Sequence, residues 1–318
     1  MTGFAFAVRD GHAQPINIDQ AVSAQGELIW VHLPSADDEA ADWLHDKGGL
    51  SYNIADMLTA AETRPRCDAA PGGGVFINMR GLTSDRMEPS DLLASIRIYA
   101  HEGAVFSVTR KQVNGVDAVR ARIGEGKIRD PGDLIAAFAA AITEELDPVV
   151  ADLGDSLDDA EERIDADRVF ELRRRVNHVR VQAIGYRRFL NPQRGALEKL
   201  ATLDVDWLRD DDRLHLSAAA DRAARMAEEL ESIRERSALI HETLTDLRAE
   251  QLDQRSLLIA VVALVFLPLT FITGLLGMNV AGIPYAHQPW AFDGVVIVCA
   301  ALALAISAYF IRRHWFRG

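Results

Sequence analysis

The sequence predicts three parts in order: a mixed α/β domain, a long helical stalk and two helices that span a membrane. Strand-like runs occur only in the first third of the chain, and helical spacing dominates after them. Two uncharged apolar runs, 257–276 and 294–311, close the sequence. We therefore expect a cytosolic α/β domain at 1–130, a cytosolic helical stalk at 131–255 and a transmembrane hairpin at 256–318.

The α/β domain is predicted from short apolar or alternating runs that are rich in β-branched and aromatic residues. Predicted strands cover 3–8, 28–33, 75–79, 95–99 and 104–109. Helical spacing between them predicts helices at 36–47 and 54–61. Pro71 and the three glycines after it predict a turn, because the lysine and hydroxyl residue of a phosphate-binding loop are missing.

The stalk is predicted from helical patterns that begin after the last strand. They cover 135–142, 153–164, 169–184 and a long stretch from 206 onward. No Gly or Pro interrupts 205–267, and Ala, Glu, Arg and Leu dominate there. A helix that continues to residue 276 would be about 100 Å long, so we expect it to enter the membrane without a break.

The two apolar runs are each long enough to cross a hydrocarbon core of about 30 Å. Arg248 and Arg255 precede the first run, and Arg312, Arg313 and Arg317 follow the second, whereas the connection between the runs has no Lys or Arg. Because positive residues stay on the cytoplasmic side, both termini are expected in the cytosol. Aromatic residues flank both runs, as in interfacial belts: Tyr285, Trp290, Phe292, Tyr309, Trp315 and Phe316.

Composition argues against several classes of function. Residues 1–255 carry 31 basic and 46 acidic side chains, a net charge of −15, which repels nucleic acid. An enzyme is disfavoured because no nucleophile–base motif, HExxH or paired CxxC occurs. Cys67 and Cys299 are the only cysteines, so a disulfide framework is not expected and a reducing compartment fits.

One face of the first apolar run carries a stripe of mostly small residues at steps of three and four. Its members are Ser256, Ala260, Ala263, Leu267, Thr270 and Gly274. Two spans cannot enclose a polar path, so the hairpin is either an anchor or one wall of a pore that several copies build. Small residues also allow close helix packing, and periodicity alone leaves both interpretations open. Thr270 has a second explanation, a bond to a carbonyl that Pro268 leaves without a partner.

The tripeptide Gly277-Met278-Asn279, directly after the first run, resembles the signature of the CorA superfamily of divalent-cation transporters. The preceding residues 263–276 resemble the family's pore helix, and the order of domain, stalk and hairpin resembles its whole architecture. Within the superfamily, residues 277–284 and the segment Glu62-Thr63-Arg64-Pro65-Arg66 are similar to the ZntB zinc-transporter branch. Magnesium-channel members carry an acidic residue soon after the signature, and here none occurs before Asp293.

The resemblance implies a homopentamer in a bacterial inner (plasma) membrane, whose first span lines the pore. It implies no resident cofactor, with Zn²⁺ as cargo and a CorA-type Mg²⁺/Co²⁺ channel as the alternative. It places Asn279 at the outer mouth, in a loop that Gly277 and Met278 shape. The resemblance also assigns an ion path at Thr270 and Gly274, apolar constrictions at Leu267 and Ile259, and an inner mouth at Ser256 and Asp253.

Three questions stay open at the level of the residues. Asp253, repeated around an assembly, would form a cation-selecting ring, or it pairs with Arg248 or Arg255 of a neighbouring subunit. The resemblance also suggests proton-coupled uptake, but the spans supply no carboxylate or histidine relay, so passive flux is equally open. A membrane-anchored regulatory scaffold without transport is the rival class. His287, the only imidazole near the signature, indicates a solvated loop side chain and not a zinc ligand.

The stalk contains two acidic clusters, which are typical of solvated faces or helix caps. The first comprises Asp152, Asp155, Asp158, Asp159 and Glu162, and the second Asp204, Asp206, Asp210, Asp211 and Asp212. A cytosolic site for divalent cations is the alternative. The basic residues Arg173, Arg174, Arg175, Arg180, Arg187 and Arg188 are expected to pair with these acids.

Overall fold

The computed structural model describes residues 3–62, 64–84, 92–165, 168–280, 282–285 and 287–314. Among the residues named above, Thr63, Ala281, Trp315, Phe316, Arg317 and the side chain of Arg313 lie outside this part. The chain divides into two compact units. The first comprises Met1–Ile164 with Phe170–His241, and the second comprises Asp165–Val169 with Glu242–Gly318.

The first unit is built on a seven-stranded mixed sheet, counted over the described residues. The strands are β1 Phe4–Arg9, β2 His12–Ile16, β3 Leu28–Leu33, β4 Arg66–Ala70, β5 Gly74–Leu82, β6 Leu93–His101 and β7 Ala104–Thr109. Their order across the sheet is β2-β1-β3-β7-β6-β5-β4. Strands β3 and β7 are parallel and the other neighbours are antiparallel. All five predicted strands are confirmed. The edge strands β2 and β4 were not predicted, because their exposed positions interrupt the apolar alternation.

The chain has eight α-helices within its described residues. They are α1 Ile18–Ala21, α2 Asp38–Asp46, α3 Tyr52–Thr59, α4 Asn114–Gly124, α5 Pro131–Glu162, α6 Val169–Thr202, α7 Asp210–Leu276 and α8 Ala291–His314. Helices of the first unit cover both faces of the sheet. On one face, Leu44 of α2 and Leu58 of α3 share a buried core with Phe76. On the other face, Phe138 of α5 packs edge-on against Trp30, with 5.6 Å between the ring centroids.

Helix α5 is one continuous helix of 32 residues, although the sequence pattern predicted two separate segments. The structure joins the predicted segments 135–142 and 153–164 through residues to which the pattern assigned no element. Leu146, Val150 and Leu153 follow one another at helical steps and are all buried. Their packing maintains the helix through Pro148, which removes only one backbone hydrogen bond.

The long terminal helix and the hairpin agree with the prediction. Helix α7 runs for 67 residues from Asp210 to Leu276 without a break. Among the described residues, α7 and α8 are long and apolar enough to cross a membrane, judged by length and composition. The predicted order of α/β domain, long helix and two apolar C-terminal helices is therefore confirmed.

Candidate functional site

The small-residue stripe of α7 lies opposite the side of α7 that is covered within the second unit. The partly buried positions of the apolar segment include Val261, Val265, Pro268, Leu269 and Ile272. At about 100° per residue, these positions centre about 165° around the helix from the stripe. All six stripe residues are exposed. One chain therefore covers the bulky face of its first apolar helix and leaves the small-residue face open.

Helix α8 has a covered face of its own within the same unit. Its partly buried positions recur with a helical period: Gly294, Val295, Cys299, Leu302, Ala303, Ile306, Ser307 and Phe310. Between them, the side chains of Ile297 and Leu304 are 67% and 71% exposed. The periodicity of the partly buried positions indicates that α8 packs on the bulky face of α7. Among the described residues, the opposite side of α8 is exposed apolar surface, which is suited to lipid.

The predicted pathway residues lie along one side of α7. Ser256, Leu267, Thr270 and Gly274 all fall within about 40° of the centre of the stripe. Asp253 and Ile259 fall about 60° to either side of that centre, at the edges of the same face. The side chain of Leu267 is 75% exposed in the single chain. Such an exposed apolar side chain is typical of a surface that further copies or lipid cover.

Helix α7 ends directly before the signature tripeptide. The amide of Gly277 donates to the carbonyl oxygen of Thr273 at 2.9 Å, and the hydroxyl of Thr273 donates to the carbonyl of Leu269 at 3.0 Å. A Cβ atom added to Gly277 would lie 2.9 Å from the Thr273 carbonyl oxygen. Asn279 follows outside the helix and is exposed. The glycine therefore permits a close last turn that brings the Asn279 amide to the end of the helix.

The alternative explanation for Thr270 is wrong. Its hydroxyl donates to the carbonyl of Phe266 at 2.8 Å. The carbonyl that Pro268 deprives of its amide partner belongs to Leu264, four residues earlier. Thr270 therefore does not compensate for the proline. Because a donating hydroxyl keeps both lone pairs as acceptors, its oxygen remains suited to a hydrated cation on the open face of α7.

The connection between the two spans presents aromatic and amide groups and few charges. The ring centroids of Tyr285 and Trp290 lie 5.3 Å apart. The backbone N–H of Gln288 donates to the backbone carbonyl of Tyr285 at 3.0 Å. His287 and Asp293 are its only ionisable side chains apart from Tyr285. His287 is exposed, as predicted for a solvated loop side chain. The C-terminal end of α7 thus has little fixed charge nearby.

The N-terminal end of the apolar segment of α7 carries Asp253, which is exposed. The described part of a single chain shows no ion pair to its carboxylate, and Gln254 donates instead to Glu250 at 3.4 Å. Arg248 and Arg255 are also exposed. One chain therefore leaves open both alternatives for Asp253, a ring of carboxylates or a pair with a neighbouring subunit.

The basic residues of the stalk pair with its acids only in part as expected. Arg175 lies 3.3 Å from Asp159 of the first acidic cluster. Arg187, however, pairs with Glu231 at 3.1 Å, outside both clusters. The first cluster also binds Arg236, which donates to Asp158 at 2.5 Å. Sequence reasoning missed Arg236 because it is 78 residues away along the chain.

A carboxylate triad joins the starts of α5 and α7, and sequence reasoning found only one of its members. One oxygen from each of Asp130, Asp133 and Asp212 lies within 4.8 Å of the others. Asp130 caps α5 by accepting from the amide of Asp133 at 2.9 Å, and Asp212 accepts from the amide of Arg209 at 2.9 Å. The guanidinium of Arg209 also lies 2.9 Å from Asp130. Backbone amides and an arginine thus engage these oxygens, which favours helix capping over cation binding.

Burial controls the protonation of this triad. Asp212 is 2% exposed, and burial is the largest cause that raises its pKa to about 6. The amide of Arg209 opposes that shift, and the neighbouring carboxylates Asp130 and Asp133 reinforce it. Burial likewise raises the pKa of Asp133. Asp212 thus has one of the two structural roles expected for its cluster, since it accepts from the Arg209 amide at the start of α7, and its burial favours the protonated form.

Comparison with known proteins assigns this architecture to a family. The family model described as "CorA-like Mg2+ transporter protein" matches residues 25–313. The chain is 31% identical over 301 residues to the zinc transport protein ZntB of Cronobacter sakazakii (strain ATCC BAA-894), covering 94% of this chain and 90% of that protein. It is 30% identical over 292 residues to the divalent cation transporter CmaX of Pseudomonas aeruginosa, covering 91% and 88%. The solved structure of full-length CmaX superposes with a TM-score of 0.77 at 28% identity, covering 98% of this chain and 97% of that one.

Proposed function

Because this chain belongs to the family of CorA-like Mg2+ transporter proteins, whose members transport divalent cations, we propose that it carries Zn²⁺ through a pore that several copies build. The observation that supports this proposal is the open small-residue face of α7, opposite the bulky face that is covered within the second unit. A single hairpin cannot wall a polar path in lipid. If several copies turn their stripes toward a common axis, the stripes together enclose a polar path and each α8 stays on the lipid side.

The proposed assembly is a homopentamer in a bacterial inner membrane, with both termini in the cytosol. Its soluble parts are the α/β domain at 1–130 and the stalk at 131–255, followed by the hairpin at 256–318. In this arrangement the Asn279 amide meets the hydrated ion at the outer mouth, and Leu267 and Ile259 form constrictions. Thr270 and Gly274 border the path between these points. Ser256 and Asp253 lie at the inner mouth, where five copies of Asp253 would attract cations.

Zinc is proposed as the cargo on two grounds. A zinc transport protein is among the relatives of at least 30% identity that match nearly the whole chain. The connection also has no acidic residue between the signature and Asp293, so little fixed charge concentrates strongly hydrated Mg²⁺. Zn²⁺ tolerates lower coordination, and a neutral ring of amides suits it better.

Proton coupling, if present, must use groups outside the two spans. The first span, 256–276, contains no ionisable side chain. The second span contains Cys299 and Tyr309, but no carboxylate or histidine occurs between Asp293 and His314. An intramembrane relay normally consists of carboxylates or histidines. We therefore propose that any dependence on a pH gradient arises at the mouths, where Asp253, His287 and Asp293 lie.

The test is metal entry into lipid vesicles that contain only the purified protein, followed with a fluorescent indicator for Zn²⁺ or Mg²⁺. We expect Zn²⁺ to enter faster than Mg²⁺ at equal concentration. Faster Mg²⁺ entry would favour the CorA-type alternative. No entry of either ion, together with a monomeric or dimeric mass in mild detergent instead of about five times 35.0 kDa, would favour a scaffold. With the voltage clamped, a zinc rate indifferent to an imposed pH gradient would remove the proton coupling and keep the substrate.

A further inference from the structure

The sheet face that carries α2 and α3 contains a buried arginine whose charge no described residue neutralises. Arg97 on β6 is 1% exposed. Its Nη2 donates to the backbone carbonyl of Glu62 at 3.2 Å, while its Nε and Nη1 have no hydrogen-bond partner among the described residues. The carboxylate of Glu62 is bound to Arg66 instead. The side chain thus lies in the protein with two N–H groups unsatisfied.

The residues around Arg97 add further unsatisfied polar atoms. The hydroxyl of Ser95, two residues earlier on the same strand face, is buried and lacks a hydrogen-bond partner within the described part of the chain. Asn78 lies directly across from Arg97 in the sheet, and its Nδ2 donates to the Arg64 carbonyl at 2.9 Å. Its buried Oδ1 has no such bond to a described residue. Unsatisfied polar atoms are therefore concentrated at one place on the sheet.

Both signs of charge occur near this place, but the carboxylates are engaged by Arg66, which is bound to Glu62 and lies 3.2 Å from Asp68. Arg66 is the cross-strand neighbour of Asn78 and is 33% exposed, and Arg110 is exposed and donates to the Thr59 carbonyl at 2.7 Å. Burial lowers the pKa of the Arg97 guanidinium to about 10, and the charges of Arg110 and Arg66 contribute to that shift. Arg97 still carries its charge at neutral pH. A buried cation without an anionic partner is strongly unfavourable, and no described carboxylate pairs with the Arg97 guanidinium, so this group would be stabilised by an added anion.

We propose that Ser95, Arg97, Arg66 and Arg110 form a binding site for a small oxyanion of the phosphate or sulfate type. Arg97 and the Ser95 hydroxyl form its floor, and Arg66 and Arg110 form its rim. The unsatisfied Nε and Nη1 of Arg97 belong to a planar fork that matches two oxygens of such an anion. The carboxylates of Glu62 and Asp68 both contact Arg66, so a bound anion would have to replace one of them as its partner. The site lies in the first unit and does not depend on the proposed ion pathway.

The test uses the full-length protein in detergent with inorganic phosphate as the probe, at an ionic strength held constant with a bulky organic anion. We expect the Tm of the wild type to rise with phosphate concentration and then to saturate, as for a ligand that binds the folded state. Arg97→Met should lose this rise. Its Tm without phosphate should equal or exceed that of the wild type, because an apolar side chain replaces an uncompensated charge. Arg194→Met, at an exposed arginine paired with Glu198, is the matched control and should keep the rise.

Several results would overturn this inference. A wild-type Tm without saturable dependence on phosphate would do so, as would an Arg97→Met protein that keeps the dependence. If Arg97→Met does not fold, Arg110→Met at the exposed rim takes its place, and its phosphate Kd by calorimetry should be about ten-fold weaker, since a charge-assisted hydrogen bond is lost. An unchanged Kd contradicts the site. An equal response to chloride at the same concentration would exclude an oxyanion as the specific ligand.

Discussion

The amide of Gly277 donates to the carbonyl of Thr273 at 2.9 Å, and this bond closes the last turn of α7 immediately before Met278 and Asn279. The turn is close, because a Cβ atom at residue 277 would lie 2.9 Å from the same carbonyl oxygen. The position of the Asn279 amide relative to the helix end is therefore determined by a glycine two residues earlier. This relationship gives the signature tripeptide a physical role that can be tested separately at each residue.

Gly277→Ala should reduce metal flux without preventing assembly. The added methyl group must displace the Thr273 carbonyl, so the last turn loosens and Asn279 moves from the helix end. The measurement is the initial rate of zinc entry into vesicles, with the oligomeric mass as a check. Gly195→Ala in α6 is the matched control, because its Cβ meets no atom within 4 Å. Equal rates for Gly277→Ala and wild type would show that the close turn is not required.

Asn279→Ala should abolish most of the flux and leave folding and assembly intact. The residue is exposed and outside α7, so its truncation removes a side-chain carbonyl from the proposed outer mouth and no packing. The same zinc-entry assay measures the effect. Gln288→Ala removes an exposed amide from the same connection and should retain the wild-type rate. If Asn279→Ala transports zinc at the wild-type rate, the family's signature role does not apply to this residue.

The parts of the fold that depend on local sequence patterns could be predicted. Contacts between segments that are distant in the sequence could not. The five predicted strands carry an apolar run of their own, and the uninterrupted stretch before Pro268 predicted the long α7. Strand β4 is recognisable only from its pairing with β5. The triad of Asp130, Asp133 and Asp212 and the unsatisfied Arg97 depend in the same way on segments that folding brings together. The stripe could be recognised in the sequence. That it lies opposite the covered face of α7 could not be predicted, because the covered face is known only once the hairpin is folded.

Asp212→Asn should stabilise the protein at neutral pH and not at acidic pH. The pKa of Asp212 is raised in the folded state from 3.8 to about 6, so the folded state binds the proton more tightly than the unfolded state. The stability that this group contributes is therefore present below about pH 4 and is lost as the pH rises through about 6. Asparagine imitates the protonated form at every pH. The advantage of the variant should thus grow between pH 4 and pH 7, to at most about 3 kcal/mol.

This pH dependence is measured as the Tm of the two proteins in matched buffers across that range. Asp211→Asn is the control, because the neighbouring carboxylate is exposed and outside the triad. A constant difference in Tm between Asp212→Asn and wild type, at every pH, would contradict a retained proton. So would an Asp211→Asn protein that shows the same pH dependence.

A thiol on the stripe of α7 should react with a charged, water-soluble reagent, and a thiol on the outer side of α8 should not. After Cys67 and Cys299 are replaced by Ala, Ala263→Cys places the thiol on the open face, and Leu304→Cys places it on apolar surface that we assign to lipid. A thiol reacts as the thiolate, which forms only where water reaches it. Labelling is measured by mass spectrometry and flux in vesicles before and after the reagent. Labelling of Ala263→Cys with loss of flux is expected. An inert Ala263→Cys would indicate that the stripe is a dry helix interface, and a reactive Leu304→Cys would place the water path on α8.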